Sequence, residues 1–400
     1  MPTIPSYPHD IYTDEVLLDP YEHYRTLRDL GPVVWLEAHQ MYVLPRYAEV
    51  RTALGDATTF CSGQGVGLND VVNGIGVGGT LMSDGQQHEH QRSIIGKGLT
   101  PRALRSLQDS VERLATEQVA QLVERGSFDA VADLARALPL SVVPDLVGWP
   151  AGGREHLLEW AAATFDLLGP MNLRAQQAGP KVQQMVEFAV ATAAEGSFIP
   201  GSVGAAMLAG AQRGELEPAI VPLLILDYIG PSLDTTISAI GSAVQLLASH
   251  PEQWATLKAD PSLIPNAFNE TVRLESPIRS FSRVTTTATS IDGYDIDAGA
   301  RVIVLYASAN RDDRTFDRPD EFDVTRSNAA EHVGFGYGTH GCAGQGLARL
   351  ESHAVLQALV DQVGRLELGT PVRGLNNLIN AWASLPVTAY PTRETALTGA

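Results

Sequence analysis

Apolar residues recur with a helical period along most of this chain and with a two-residue period only in a few short runs. Residues 20–31 predict an amphipathic helix closed by Gly31, and residues 47–54 predict a second. The helical period returns over residues 101–123, 131–147, 154–168 and 180–194. The longest such stretch is 218–249, where Ile220, Leu223, Leu224, Ile225, Ile229, Leu233, Ile237, Ile240 and Val244 leave almost no polar face. A helix apolar all round crosses the middle of a protein. Pro231, preceded by Gly230, removes one backbone donor and is expected to kink it. A short helix over 266–274 ends before Pro277. Residues 33–36 and 41–44 predict a hairpin-like pair of strands, and 282–288, 290–296 and 301–306 predict three more. The pattern therefore predicts a mainly α protein, helix-rich with small β-sheets. No Pro/Ser-rich linker or repeat divides it, so residues 1–400 are expected to form a single domain.

Between these elements lies a glycine-rich stretch from Cys61 to Gly79 that predicts a long functional loop. The helix after it opens at His88, with His88 and Arg92 four apart on one face. His88 and His90 would point apart, so they make a poor metal pair.

Composition narrows the possible partners. The net charge of −18 argues against nucleic acid and anionic membrane surfaces. No run approaches the ~18 apolar residues of a membrane span, and the N-terminus lacks signal-peptide character, so a cytoplasmic protein is expected. Cys61 and Cys342 are the only cysteines, too few and too far apart for a disulfide framework.

The densest chemistry surrounds Cys342. Gly334, Gly336, Gly338, Gly341, Gly344 and Gly346 flank it, and an apolar-periodic helix follows over 347–356. A thiol where a glycine loop becomes a helix start meets free N–H groups and the positive end of the dipole, which favour thiolate. Such a group suits a nucleophile, a redox thiol or a metal ligand. Asp227 and Asp234 lie in the apolar helix, and no Lys or Arg occurs over 214–257. A buried carboxylate is costly unless it is used or satisfied. Glu270 and Arg273 form an i,i+3 pair, worth ~0.3 kcal/mol if exposed.

Taken together, these motifs resemble the cytochrome P450 superfamily, the haem-thiolate monooxygenases. The matching positions are Phe335, Gly338, His340, Cys342 and Gly344 of a Phe-x-x-Gly-x-His-x-Cys-x-Gly loop, the pair Glu270 and Arg273, and the acid–alcohol pair Asp234 and Thr235. Arg326 looks like the third member of the Glu270–Arg273 network. The resemblance runs over about residues 20–386. Phe60, Cys61, Ser62, Gly153, Arg154, Gly169, Pro170, Glu275, Ser276 and Pro277 look closest to the soluble bacterial branch that demethylates para-methoxybenzoate.

The resemblance implies the P450 fold, with haem b between the long central helix and the cysteine-loop helix. Cys342 would be the axial thiolate, pushing electron density onto the iron. Phe335 and Gly344 would flank the sulfur. His88, Arg92, Arg283 and His340 would hold the haem propionates. Asp234 and Thr235 would deliver protons on the oxygen side. Pro231 and Ser232 replace the family's usual small pair there. The implied activity is insertion of one oxygen atom from O2, fed by a ferredoxin and its reductase with electrons from NAD(P)H. Lys97, Arg102, Arg105 and Arg349 are the candidate docking charges. A peroxide-driven peroxygenase and a haem sensor or carrier are the alternatives.

For the substrate, the resemblance points to Val66, Leu68, Leu81, Phe165, Leu168, Asp227, Pro231, Ile278, Ser280 and Phe281, an apolar set suited to a small aromatic. The benzoate-demethylating relatives grip a carboxylate with basic residues. This chain has none over 52–91 or 214–257, leaving Arg279 as the one nearby base. The expected substrate is a methoxylated or alkylated phenol or a benzoate-like compound, undergoing O-demethylation or hydroxylation.

Overall fold

In the computed structural model, which describes residues 3–392, the central helix is Val221–Ser249. The helices packed most extensively on it are Ala137–Val147, Leu157–Leu167, Leu173–Glu195, Ile264–Glu275 and Gln345–Gln362. Its ring of apolar residues is satisfied from every side, and Leu224, Ile225, Ile229, Leu233 and Val244 are fully buried. By length and hydropathy alone Pro218–Ser249 would also pass for a membrane span. Here its apolar surface is spent on neighbouring helices inside the protein. The helix continues through Pro231 rather than ending there. Proline removes one rung of the ladder, and the packing on both sides carries the remaining rungs past it.

The strands gather at one side. A six-stranded sheet runs in the order Ser6–Tyr7, Val34–Leu36, Met41–Leu44, Arg301–Val304, Phe281–Thr285 and Phe60–Cys61. Val34–Leu36 and Met41–Leu44 pair antiparallel, as their alternation predicts. The stretch 290–296 is a hairpin rather than one strand, turning at Asp292 and Gly293 with φ of 48° and 81°. A second sheet joins Val363–Leu368, Pro386–Pro391 and Ser127–Asp129.

Three departures from the sequence pattern have local causes. The glycine-rich stretch encloses a short helix, Asp70–Gly76, started by the Asn69 side chain accepting from the Val72 N–H. Residues 131–147 split into a π-helical turn, Ala130–Ala135, and the helix Ala137–Val147. Helix Val203–Gln212 is built from small residues and shows little apolar periodicity in sequence.

Glu270 and Arg273 are not an exposed pair. Both are fully buried, with Arg273 Nε and Nη2 donating to the two Glu270 oxygens at 2.7 and 2.8 Å. Arg326 Nε donates to the same carboxylate at 2.8 Å. Arg273 also reaches the Asn310 and Pro319 carbonyls, and Arg326 the Asp317, Arg318 and Glu321 carbonyls. One carboxylate and two guanidiniums thus pin the irregular segment that leads into the cysteine loop.

Candidate functional site

A cavity of about 330 Å³ lies between the central helix and the cysteine loop. Its walls come from different parts of the chain, and each carries different chemistry.

The first wall is the cysteine loop. Phe335, Gly336, His340, Cys342, Ala343 and Gly344 line the cavity. The Cys342 N–H donates to the Phe335 carbonyl at 2.8 Å, closing the loop on itself. Gly338 has φ of 68°, and a Cβ there would stand 2.7 Å from the Leu54 carbonyl. Glycine is therefore required both for the backbone conformation and for the close approach. Burial pushes the Cys342 thiol above its ordinary pKa, against the pull of the Gly344 and Gln345 N–H groups, Arg92 and Arg349. The helix start alone does not hold a thiolate here, because desolvation outweighs it; a cation at the sulfur would supply the difference.

The second wall is cationic. His88 and His340 face each other with ring centroids 4.2 Å apart. His340 Nε2 lies 3.1 Å from Asp84 Oδ1. Arg92 Nη2 donates to the Gly341 carbonyl, and Arg283 Nη1 to the Ser282 carbonyl at 2.8 Å. His88 Nδ1 is buried without a partner. Burial and then Arg92 hold His88 below its usual pKa, while burial, Arg283 and His88 bring His340 down to about 4. Four donors crowd one face, and the carboxylate of Asp84 touches only one of them. The donor set fits a dianionic group lying in the cavity, as the two propionates of haem b would. An open thiol at one wall, an orphaned imidazole nitrogen and this donor face together match that cofactor.

The third wall is the central helix. Asp227, Pro231, Ser232, Thr235 and Thr236 line the cavity. The Thr235 hydroxyl donates to the Pro231 carbonyl at 2.6 Å. Asp234 lies behind the lining. Burial raises its carboxyl to about 7, with Arg136 pulling it down and Asp166 pushing it up. Asp227 Oδ2 accepts the Thr80 N–H at 2.8 Å, and burial raises this carboxyl to about 6.

The remaining wall is apolar. Leu81, Phe165, Leu168, Ile278 and Phe281 line the cavity as expected, with Val72, Ile75 and Met82 beside them. Val182, Met185 and Val186 line it too. Their i, i+3, i+4 spacing on Leu173–Glu195 is legible in sequence, but which cluster that face meets is not.

Three expected contacts stand elsewhere. Val66 is wholly buried and its carbonyl accepts the Ser282 N–H at 2.8 Å. The Leu68 N–H donates to the Leu168 carbonyl at 2.9 Å, which turns that segment into a support for the lining. Ser280 is buried against the Tyr12 hydroxyl at 3.2 Å. Arg279 is likewise no substrate base: it is buried, and its guanidinium serves the Asn376, Ile379 and Leu17 carbonyls at 3.0, 2.5 and 2.9 Å. Among the described residues, no Lys or Arg lines the cavity apart from Arg92 and Arg283.

Known proteins resemble this chain in sequence and fold. The family model described as cytochrome P450 matches residues 205–363. Cytochrome p450 CYP199A2 of Rhodopseudomonas palustris is 40% identical over 387 residues, covering 96% of this chain and 94% of that protein. Putative cytochrome P450 123 of Mycobacterium tuberculosis is 30% identical over 388 residues, covering 94% and 96%. Among solved structures, cytochrome P450 CREJ in complex with (4-ethylphenyl) dihydrogen phosphate superimposes with a TM-score of 0.84 at 26% identity, covering 96% of this chain and 99% of that one.

Proposed function

This chain belongs to the cytochrome P450 family, and from that premise we propose that it oxygenates a small aromatic lacking a carboxylate, by O-demethylation of a methoxy group or hydroxylation of an alkyl group. As a P450 monooxygenase it uses haem b, which when bound supplies the activation of O2 and the transfer of one oxygen atom. We assign the roles of this chain's residues as follows. Cys342 would hold the haem iron through its sulfur, with Phe335 and Gly344 beside it. His88, Arg92, Arg283 and His340 bind the propionates. The Thr235 hydroxyl holds a proton at the cavity wall, and the half-buried Asp234 exchanges protons behind it at near-neutral pH. Leu81, Phe165, Leu168, Ile278 and Phe281 exclude water and orient the ring.

The observation that carries the substrate reading is the charge distribution. The cavity's guanidiniums, Arg92 and Arg283, and its imidazoles, His88 and His340, all belong to the donor face assigned to the propionates, and the central-helix wall holds the acid Asp227. A substrate carboxylate would find no basic partner there. The likeness to the para-methoxybenzoate branch supports an aromatic ring and a methoxy carbon as the reacting groups.

Electrons reach a P450 of this kind from a redox partner, and we take that partner to be a ferredoxin with its reductase. Lys97, Arg102 and Arg105 are exposed, and Leu104 among them packs towards Gly346 of the cysteine helix. Arg349 contributes less, since its guanidinium lies 4.7 Å over the Phe335 ring and its Nη1 bonds Gln345.

Binding titrations of the holoenzyme test the reading. Neutral methoxybenzenes should shift the haem spectrum to high spin and yield formaldehyde with NADH, ferredoxin and reductase. Tight binding of para-methoxybenzoate with no response to neutral ethers would sink it. Pro231 keeps one rival reading open, peroxide-driven turnover, although the Asp234–Thr235 pair argues against it. Faster product formation with hydrogen peroxide than with the ferredoxin system would support that rival.

A further inference from the structure

Asp227 and Thr80 meet on the cavity wall among apolar side chains. Asp227 keeps a partly exposed side chain on the cavity wall, and only its Oδ2 is engaged, by the Thr80 N–H at 2.8 Å. Thr80 lines the same cavity and is 6% exposed, and its buried hydroxyl faces the Asp227 carboxylate without making a well-aligned hydrogen bond to it. Val72, Ile75, Gly76, Gly79, Leu81 and Met82 around them offer no side-chain donor or acceptor. A buried hydroxyl left unpaired and a carboxylate without a cation are both unfavourable, and the enclosed strip between helix Asp70–Gly76 and the histidine helix retains them.

We propose that Asp227 and Thr80 form a hydroxyl-recognising subsite. A phenolic O–H donates to the free Asp227 oxygen and in turn accepts from the Thr80 hydroxyl. The match is one of donor and acceptor counts: the wall supplies an Asp227 oxygen that the Thr80 N–H does not engage and a Thr80 hydroxyl that can turn from Asp227 to the ligand, and a phenol brings one donor and an oxygen lone pair. A ring-linked ammonium brings three N–H groups and no lone pair, so it would leave N–H groups facing Val72, Ile75 and Leu81. A carboxylate would set two anions together. This inference rests on the proposed function, since it names the substrate group that this same cavity selects.

The test is isothermal titration calorimetry, paired with spectral titration, of the holoenzyme against 4-methoxyphenol, methoxybenzene, 4-methoxybenzylamine and para-methoxybenzoate. The phenol should bind at least about tenfold tighter than methoxybenzene, the range expected of a buried hydrogen bond to a charged group. That ratio should collapse in Asp227→Asn, and fall severalfold in Thr80→Val, which keeps the Thr80 N–H and the side-chain shape. Equal binding of the phenol and methoxybenzene overturns the subsite while leaving the aromatic reading intact. So does an unchanged ratio in both variants, or a preference for the benzylamine. If none of the four ligands binds, the subsite and the proposed function both fall.

Discussion

Replacing Glu270 with glutamine isolates the network that holds the haem-side loop. The carboxylate accepts from Arg273 Nε at 2.7 Å, Arg273 Nη2 at 2.8 Å, Arg326 Nε at 2.8 Å and the Asp323 N–H at 3.2 Å. Glutamine keeps the shape, removes the charge and turns one acceptor into a donor facing a guanidinium. Each charge-assisted bond contributes a net of about 1.5–3 kcal/mol, but three of them share one carboxylate and do not add. Leaving two guanidiniums uncompensated in the interior costs about 3–5 kcal/mol, and that is the expected loss. Against a total stability of about 5–15 kcal/mol, such a loss shows directly as a lower urea midpoint, followed by far-ultraviolet circular dichroism and by haem absorbance. Glu117→Gln breaks the Arg113–Glu117 pair, whose side chains are 59% and 55% exposed, and should cost under about 0.5 kcal/mol. Added salt should erase the effect of the exposed pair and leave the Glu270 effect in place. If Glu270→Gln loses less than about 1 kcal/mol, or matches Glu117→Gln, the network does not carry the loop and the reasoning is wrong.

Three further outcomes follow from the same structure. Burial without any partner raises Glu351 to about 8, so the folded protein holds a proton that the unfolded chain has lost above about pH 4.5. Stability should therefore fall as pH rises from there to about 8, by up to about 5 kcal/mol, and Glu351→Gln should flatten that fall in urea midpoints measured across the range. His88→Ala and Arg92→Ala should each speed haem transfer to apomyoglobin by about tenfold, since each removes a charge-assisted contact to a propionate; unchanged rates would argue against that assignment. Asp234→Asn should lower kcat on the order of 10²-fold, whereas Thr235→Ala should keep consuming NADH while forming less product, as measured by NADH oxidation against formaldehyde release.

Much of this protein is legible along the chain because its long-period features are strong. The 3.6-residue rhythm over 218–249 needs no partner to be recognised, and its outcome, a helix enclosed on all sides, follows from hydrophobic burial alone. The cysteine loop is legible for a different reason: a glycine at Gly338 is demanded by a backbone conformation that other residues avoid, so the constraint is written into the residue type. Turns and short helices were harder. The hairpin at Asp292 and Gly293 sits inside an alternating run, and Asp70–Gly76 depends on one capping side chain, Asn69.

What the sequence determined by itself was the kind of element in most places, the family and the identity of the chemical groups: a thiol, two guanidiniums and two imidazoles, an acid–alcohol pair and an acid facing no base. Those properties are local, set by residue type and spacing within a few turns. Tertiary structure decided which of them meet. It placed Leu81 in the cavity and Val66 behind it, turned Arg279 from a substrate base into a brace for three carbonyls, and converted Glu270 and Arg273 from a weak surface pair into a buried network. It also set Thr80 against Asp227 across 147 positions of chain. The physical reason is that burial sets the strength of every charge and hydrogen bond, and burial is a property of neighbours distant in sequence.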